Sequence, residues 1–190
     1  VSLHLVFSGN PGTGKTTVAR ILARLYKEIG VLSKGQLVEV DRSGLVAGFV
    51  GQTAIKTQKV IDEAMGGVLF IDEAYSLYRG NADSNDYGRE AIDTLIAQME
   101  NHRHDFMVIM AGYPDDMDTL LAANAGLASH MPYTIHFPNY TREKLADIFA
   151  QYDAVLLPAC SQKAYEPYPI EQAFGKVYDE SLYTAVANLT

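Results

Sequence analysis

A glycine-rich run near the start of the chain has the residue types and spacing needed to bind phosphate. Gly9-Asn10-Pro11-Gly12-Thr13-Gly14-Lys15-Thr16 contains a glycine, four further residues and then Gly-Lys-Thr, which is the pattern of a phosphate-binding loop. The glycines allow successive backbone N–H groups to point at one phosphate, and the proline stiffens the loop. The loop therefore predicts a site for ATP.

Within this loop, individual side chains have separate predicted tasks. Lys15 would reach the β- and γ-phosphates and take part in catalysis, and the Thr16 hydroxyl would hold Mg²⁺. The start of a helix near Lys15 would add free N–H donors and the positive end of a helix dipole. The predicted nucleotide contacts are Gly9, Asn10, Pro11, Gly12, Thr13, Gly14, Lys15, Thr16 and Thr17.

The sequence on either side of the loop supports this prediction over a simple glycine-rich surface turn. An apolar stretch from Leu3 to Phe7 precedes the loop and predicts a strand. Apolar residues follow it at helical spacing and predict a helix with one continuous apolar stripe. The residues of this stripe are Val18, Ile21, Leu22, Leu25, Tyr26 and Ile29.

A second run supplies carboxylates at the end of a predicted strand. Val68 to Ile71 is uninterruptedly apolar and is followed directly by Asp72 and Glu73. We expect Asp72 in the Mg²⁺ shell and Glu73 as the catalytic base that polarises the water attacking the γ-phosphate. The alternative is that the two carboxylates only cap the next helix. Their combination with a phosphate-binding loop favours the hydrolytic site.

Along the chain, predicted strands alternate with predicted helices. Such alternation predicts an α/β fold, a three-layer P-loop NTPase core with a five-stranded parallel sheet and ligands at the carboxyl ends of the strands. We predict this core over residues 1–150 and a C-terminal helical segment over residues 151–190. The later strands are Leu37–Val40, Val68–Ile71, Phe106–Ala111 and Tyr133–Phe137. The later helices are Thr53–Ala64 (with Ile55, Val60 and Ile61 inward), Arg89–Asn101, Asp115–Ala123 and Thr141–Gln151 (with Thr141 as N-cap).

Composition limits the classes of partner. The formal net charge of -8 argues against nucleic acid or an anionic membrane as the main partner. Cys160 is the single cysteine, so an internal disulfide is excluded. No apolar run is long enough to span a bilayer, and we expect a cytoplasmic protein. Because the chain begins practically inside its first strand, we expect it to be part of a longer protein.

The histidines are predicted to be structural. His102 and His104 follow a predicted helix, and a solvated turn is favoured there over a metal site. His4 and His136 fall within predicted strands, where we expect core or edge positions with satisfied hydrogen bonds.

Several longer runs together carry a resemblance to a known family: HLVFSGNPGTGKTTVARILARLYKEIG, LVEVDRSGLVAGFVGQTAIKT, GGVLFIDEAYSLYRG, EAIDTLIAQMENHR and AGYPDDM. From about Leu3 to Phe149 the chain resembles the AAA+ ATPases of the stage V sporulation protein K and CbbX (red-type rubisco activase) branch. The resemblance implies an AAA+ core, nucleotide sites at subunit interfaces, a hexameric ring of identical subunits and a protein substrate.

The resemblance also suggests a polypeptide-gripping loop. Gly48-Phe49-Val50-Gly51 falls where related rings carry a pore loop, with Phe49 and Val50 presented to the substrate. The alternative is that Phe49 folds back onto its own core. Arg79 to Tyr87 is either a second pore-facing loop or a solvated polar loop.

At three places the chain departs from the family pattern. Where the family carries the arginines that complete a neighbour's site, this chain has Ala128 and His130, which predicts ATP binding with slow hydrolysis. The alternative is that a different residue completes the neighbour's site, and Arg103 is one candidate for it. The family usually has a polar sensor residue at the end of the fourth strand, and this chain continues there to Tyr113. Tyr113 either takes the place of the sensor or only packs against its neighbours. No arginine follows Arg142, so the C-terminal segment is a divergent or truncated lid.

Two other functions remain open at this point. The first is a nucleotide-gated scaffold or binding module that assembles with ATP and scarcely hydrolyses it, which the absent arginines favour. The second is a small-molecule kinase, a class that usually brings lid arginines to the transferred phosphate. The arginine-free tail after Arg142 disfavours the kinase.

Overall fold

The computed structural model describes residues 3–49, 51–78 and 87–149. The chain divides into two compact units, residues 1–10 with 14–137 and residues 11–13 with 138–190. The described elements are β1 (Leu5–Gly9), α1 (Lys15–Glu28), β2 (Leu37–Val40), α2 (Arg42–Leu45), α3 (Gln52–Ala64), β3 (Val68–Ile71), a 3₁₀ helix (Ala74–Leu77), α4 (Gly88–Asn101), β4 (Met107–Gly112), α5 (Pro114–Ala123), α6 (Ala125–His130), β5 (Tyr133–Phe137) and α7 (Arg142–Phe149).

The first unit contains a five-stranded parallel sheet, which confirms the predicted fold class. The strand order is β2-β3-β4-β1-β5, and every pairing between neighbouring strands is parallel. All strands therefore end at the same edge of the sheet, where β1 leads into the glycine-rich loop and β3 leads into Asp72. The two predicted halves of the ATP site share this edge.

The sheet is covered on both faces because alternate residues of its central strands enter two separate cores. In β3, Val68 and Phe70 enter the core that also holds Ala19 of α1. Leu69 and Ile71 point the other way, into the core built with α3, α4 and α5. Strands buried on both faces are uninterruptedly apolar, and this is why the Val68–Ile71 run is apolar throughout.

The predicted apolar stripe of α1 is wrong in part. Ala19 and Ala23 are buried against the sheet, whereas Ile21, Leu25 and Ile29 are 58%, 47% and 60% exposed. The stripe counted from the sequence is wider than the face that the sheet can cover. Small alanines lie at the centre of the contact, and three of the larger residues fall outside it.

The predicted inward face of α3 is also wrong at one position. Ile55 is 72% exposed, while Thr53 and Thr57 are fully buried. The hydroxyl of Thr53 accepts a hydrogen bond from the N–H of Ala47 at 3.1 Å, and that of Thr57 donates to the carbonyl of Leu45 at 3.1 Å. Threonine is preferred inside because these backbone groups need partners.

Two histidines behave as structural residues, as predicted. His4 is buried, its Nδ1 accepts a hydrogen bond from the N–H of Val108 at 3.0 Å, and burial lowers its pKa to about 4. His136 is an exposed residue of β5, with its Nδ1 3.3 Å from the hydroxyl of Ser8. His102, in the turn after α4, has its Nδ1 2.9 Å from Oδ2 of Asp105.

In the second unit, α7 begins as predicted. The hydroxyl oxygen of Thr141 accepts a hydrogen bond from the N–H of Lys144 at 3.3 Å, which is the N-cap arrangement. The predicted C-terminal segment, residues 151–190, lies outside the described residues. In the part of the chain that is described, no helix is long and apolar enough to cross a membrane.

Gly88 opens α4 where a side chain has no room. A Cβ atom there would lie inside van der Waals contact of the Leu77 carbonyl oxygen and 2.5 Å from Nη1 of Arg42. We expect Gly88→Ala to lower the free energy of unfolding by about 1–3 kcal/mol, which corresponds to roughly 2–4 °C in Tm for each kcal/mol. Thermal unfolding measures this, with Gly48→Ala as control because a Cβ at Gly48 meets nothing within 4 Å. Equal Tm values for the two variants would contradict it.

Candidate ATP site

The glycines of the loop after β1 are required by its backbone. A Cβ on Gly9 would lie 2.5 Å from the carbonyl oxygen of Phe137, because these two residues are paired in β1 and β5. Gly12 and Gly14 have φ values of 73° and 93°, in the region that favours glycine. The loop can therefore turn from β1 into α1 without strain.

Lys15 lies at the first position of α1 and turns back to the loop. Its Nζ donates hydrogen bonds to the carbonyl oxygens of Gly9 and Asn10, each at 2.8 Å. Burial lowers the pKa of Lys15, and the carboxylate of Asp72 acts in the opposite direction. Lys15 follows β1 and Asp72 follows β3, so the parallel sheet places both residues at its carboxyl edge. Thr16 is partly exposed next to them.

Asp72 and Glu73 differ in conformation although they are adjacent. The N–H of Asp72 donates to the carbonyl of Val40 at 2.8 Å, and Oδ1 of Asp72 accepts from the N–H of Glu73 at 3.0 Å. Glu73 has φ 47° and ψ 42° and is the one non-glycine residue with positive φ in the described ranges. Such a conformation costs about 1–2 kcal/mol.

The alternative role as a helix cap receives no support at Glu73. Glu73 occupies the N-cap position of the 3₁₀ helix, but its side chain makes no capping hydrogen bond. Strained backbone of this kind clusters at functional sites. The Glu73 side chain is exposed and available to a water molecule.

Tyr75 is a residue beside the candidate site that sequence reasoning missed. Its ring lies 5.8 Å from that of Tyr113, the predicted sensor, at an interplanar angle of 43°. Burial first, and then the carboxylate of Glu73, raise the pKa of Tyr75, so the phenol keeps its proton. A Cβ on Gly112 would lie 2.7 Å from Cδ1 of Tyr75, and this glycine therefore makes room for the ring. The signal in the sequence was the position of Tyr75 two residues after Glu73.

The helix α2, which precedes the predicted pore loop, is connected to the 3₁₀ helix after Glu73 by a hydrogen bond. Arg42, at the start of α2, donates from Nη1 to the carbonyl of Ser76 in the 3₁₀ helix at 2.6 Å. Phe49 is 71% exposed, so it does not pack onto its own core. Val50 and residues 79–86 of the second candidate loop lie outside the described residues.

Ala128 and His130 lie at the opposite edge of the sheet, and they are the positions where the resemblance predicts arginines. α6 ends at His130 shortly before β5 begins, which places both residues near the amino ends of the strands. Nε2 of His130 is 3.5 Å from Oε2 of Glu100. The predicted arginine positions are thus separated from Lys15 and Asp72 within the same chain.

The donor atoms near Lys15 fit a magnesium ion. Mg²⁺ prefers oxygen ligands and is commonly held by one or two carboxylates together with water and substrate phosphates. The hydroxyl of Thr16 and the carboxylate of Asp72 are such ligands. Thr16 is the second residue of α1 and Asp72 directly follows β3, so both donors lie at the carboxyl edge of the sheet.

Comparison with known proteins agrees with this geometry. Residues 5–139 match the model of the ATPase family associated with various cellular activities (AAA). The chain is 52% identical over 147 residues to stage V sporulation protein K of Bacillus subtilis, covering 77% of this chain and 45% of the relative. It is 52% identical over 143 residues to the chloroplastic ribulose bisphosphate carboxylase/oxygenase activase of Cyanidioschyzon merolae, covering 75% and 48%.

A solved structure supports the fold. The AAA domain of FIGL-1 in complex with ADP superimposes with a TM-score of 0.55 at 19% identity, covering 79% of this chain and 48% of that one. The chain spans about half the length of the curated relatives it matches. With the family match over most of the sheet and loops and these identities, the chain belongs to the AAA ATPases, in the AAA+ branch of stage V sporulation protein K and CbbX.

Proposed function

We propose that this protein binds ATP with Mg²⁺, hydrolyses it slowly and uses the cycle to remodel or thread a protein substrate. The observation that carries the proposal is the meeting of Lys15 and Asp72 at one edge of the sheet, where the carboxylate acts on the lysine pKa. Lys15 opens the helix that follows β1 and Asp72 directly follows β3, and β4 lies between these two strands in the sheet.

The proposed roles follow from the chemistry of each side chain. Backbone N–H groups of residues 9–17 other than Pro11 cradle the phosphates, and the ammonium of Lys15 exchanges its bonds to the Gly9 and Asn10 carbonyls for phosphate oxygens. Exchange of neutral acceptors for charged ones strengthens each hydrogen bond. Mg²⁺, held by Thr16 and Asp72, would neutralise charge on the phosphates.

Glu73 is the proposed catalytic base. Its carboxylate accepts a proton from the attacking water while the water oxygen bonds to the γ-phosphorus and the bond to the β–γ bridging oxygen breaks. Tyr113, paired with Tyr75, is the proposed sensor that reaches the γ-phosphate from the end of β4. ADP and inorganic phosphate are the products.

The slow rate and the ring are parts of the same proposal. AAA family membership supports an oligomer with shared sites, and we propose a hexameric ring in the cytoplasm. Ala128 and His130 stand where the family carries arginines, and loss of such an arginine lowers the rate by about 10³–10⁵-fold. Nε2 of His130 lies 3.5 Å from Oε2 of Glu100, and an imidazole lacks the two-pronged guanidinium with which an arginine holds a phosphate.

Phe49 is the proposed contact to the protein substrate. An exposed aromatic ring followed by Val50 and a glycine can grip many polypeptide sequences because it contacts side chains without requiring specific hydrogen bonds. Its 71% exposure supports this role. The relative from Cyanidioschyzon merolae is named for activating ribulose bisphosphate carboxylase/oxygenase, which supports a folded protein as the class of substrate.

The scaffold is the second candidate function, and a specific observation favours it. His130 and Ala128 leave no arginine at the expected trans positions, so a ring that holds ATP without turnover would also satisfy the sequence. A small-molecule kinase has less support because no arginine follows Arg142. Steady-state hydrolysis measured against protein concentration separates these functions, since shared sites act only in oligomers.

We expect Glu73→Gln to keep ATP bound while turnover falls by about 10²–10⁴-fold, because the amide cannot accept the proton from water. The measurement pairs equilibrium ATP binding with phosphate release under single-turnover conditions. Glu63→Gln, on the exposed face of α3, is the matched control and should hydrolyse ATP like the parent. A Glu73→Gln protein with the parental rate would exclude Glu73 as the base.

A further inference from the structure

The surface around His130 contains an arginine that the family pattern does not assign. Arg103, in the turn after α4, forms an ion pair with Oε1 of Glu100. The other oxygen of the same carboxylate, Oε2, lies 3.5 Å from Nε2 of His130. One carboxylate therefore holds the guanidinium of Arg103 next to the position where an arginine is expected.

Arg103 is better suited than His130 to act on another molecule. The side chain of Arg103 is 61% exposed, whereas that of His130 is 20% exposed. A guanidinium stays charged at all working pH values and binds phosphate through two parallel hydrogen bonds. Glu100 competes for it only as a single, half-exposed carboxylate, while a γ-phosphate with its neighbours presents more negative charge.

This cation cannot serve the ATP site of its own chain. Arg103 precedes β4, and Lys15 and Asp72 lie where the neighbouring parallel strands end. β4 has six residues, and at about 3.3 Å per residue the strand separates the two edges by roughly 17 Å, which is more than an arginine side chain can span. If Arg103 contacts ATP, the nucleotide belongs to another copy of the chain.

We propose that Arg103 supplies the positive charge that the missing arginines would have placed on a neighbour's ATP. The proposal rests on the proposed ATP hydrolysis and explains where its residual rate originates. Arg103 forms and breaks no covalent bond and only stabilises charge on the γ-phosphoryl oxygens as the bond to ADP breaks. The subunits would be arranged head-to-tail, so that Arg103 of each subunit contacts the ATP bound to the next one.

The test is a mixing experiment with full-length chains. Arg103→Ala should lower steady-state ATP hydrolysis by about tenfold or more, and Lys15→Ala should be inactive because it cannot hold ATP. Equal amounts of the two variants, co-assembled, should recover about a quarter of the parental rate, because in a head-to-tail ring that fraction of sites combines an intact Lys15 with a neighbour's Arg103.

Two further variants separate a trans contact from a structural role. Arg103→Lys preserves the ion pair with Glu100 but not the two-pronged phosphate contact, and we expect it to recover only part of the rate. Arg24→Ala removes an exposed arginine of α1 and should keep the parental rate. Circular dichroism and Tm of each variant establish that the fold is intact.

Each remaining outcome has a definite meaning. A parental rate in Arg103→Ala, or full recovery by Arg103→Lys, overturns the assignment of Arg103 and leaves the proposed hydrolysis standing. An inactive Arg103→Ala protein that the Lys15→Ala protein cannot rescue also overturns it, because the residue then acts within its own subunit. A parent chain that binds ATP without any turnover overturns it in favour of the scaffold, and a parent that binds no ATP overturns the proposed function itself.

Discussion

Lys15→Ala should abolish ATP binding at concentrations that saturate the parent protein. The ammonium is the only side-chain cation that we propose the ATP-binding chain itself places on the β- and γ-phosphates, and charge-assisted hydrogen bonds contribute about 1.5–3 kcal/mol each. Loss of two such bonds raises Kd by about two orders of magnitude or more. Isothermal titration with ATP and Mg²⁺ measures this, and hydrolysis should disappear together with binding.

A thermal measurement on the same variant separates lost binding from lost folding. The parent should gain Tm on addition of ATP and Mg²⁺, because a ligand that binds only the native state stabilises it. Lys15→Ala should keep the ligand-free Tm of the parent and gain nothing from ATP. Lys27→Ala, an exposed lysine in the last turn of the same helix, should behave like the parent. Unchanged ATP affinity in Lys15→Ala would refute the site assignment.

Restoring arginine at the degenerate positions should raise the rate. We expect His130→Arg, combined with Ala128→Arg, to increase hydrolysis by about 10²–10³-fold in the assembled protein, since an arginine acting in trans contributes about 10³–10⁵-fold in other systems. The gain should grow with protein concentration. Phosphate release measured across a dilution series reports both the rate and its dependence on assembly.

The matched control adds the same charge at a neighbouring position. Ser129→Arg places an arginine on the exposed side of α6, between the two degenerate positions, and should leave the rate unchanged. The arginine pair introduced into the Lys15→Ala protein should also remain inactive. No gain from the restored pair at any concentration would show that Ala128 and His130 do not face a neighbour's nucleotide.

The increase in hydrolysis rate expected from the two new arginines depends on the role of Arg103. If Arg103 already provides part of the trans charge, the restored arginines add less to the parent than to an Arg103→Ala background. His130→Arg should then rescue Arg103→Ala, because both side chains lie beside the carboxylate of Glu100. Such non-additivity is the expected behaviour of residues that share one partner.

Much of the fold could be predicted because its signals are local. Val68–Ile71 and Tyr133–Phe137 form strands with the predicted bounds, since apolar runs and flanking turn residues are visible along the chain. The short helices α2 and α6 were missed. A helix of four or six residues is too short to display a period, and each is stabilised by one side-chain cap, from Asp41 or Asn124.

Burial was harder to predict than secondary structure. Ile21 and Ile55 have the residue type of a core position but are exposed, while the polar Thr53 and Thr57 are buried. Hydrophobic periodicity shows which residues favour burial. It does not show how much of a helix surface the neighbouring elements cover. Which side of α3 faces inward depends on the Leu45 and Ala47 backbone groups that Thr57 and Thr53 satisfy by hydrogen bonds, and no local sequence pattern records this need.

The sequence by itself determined the chemistry of the ATP site. Glycines at Gly12 and Gly14, a lysine and a hydroxyl at fixed spacing leave little choice of ligand, because the loop is one continuous stretch whose function depends on neighbours in the chain. Only the tertiary structure decided which residues from other parts of the chain lie near the loop and its neighbours. The ring of Tyr75 beside Tyr113 and His130 beside the Glu100 carboxylate that Arg103 also binds are meetings of residues far apart in the chain, and the strained backbone of Glu73 exists only in the folded protein. Packing creates them, and spacing along the chain carries no record of them.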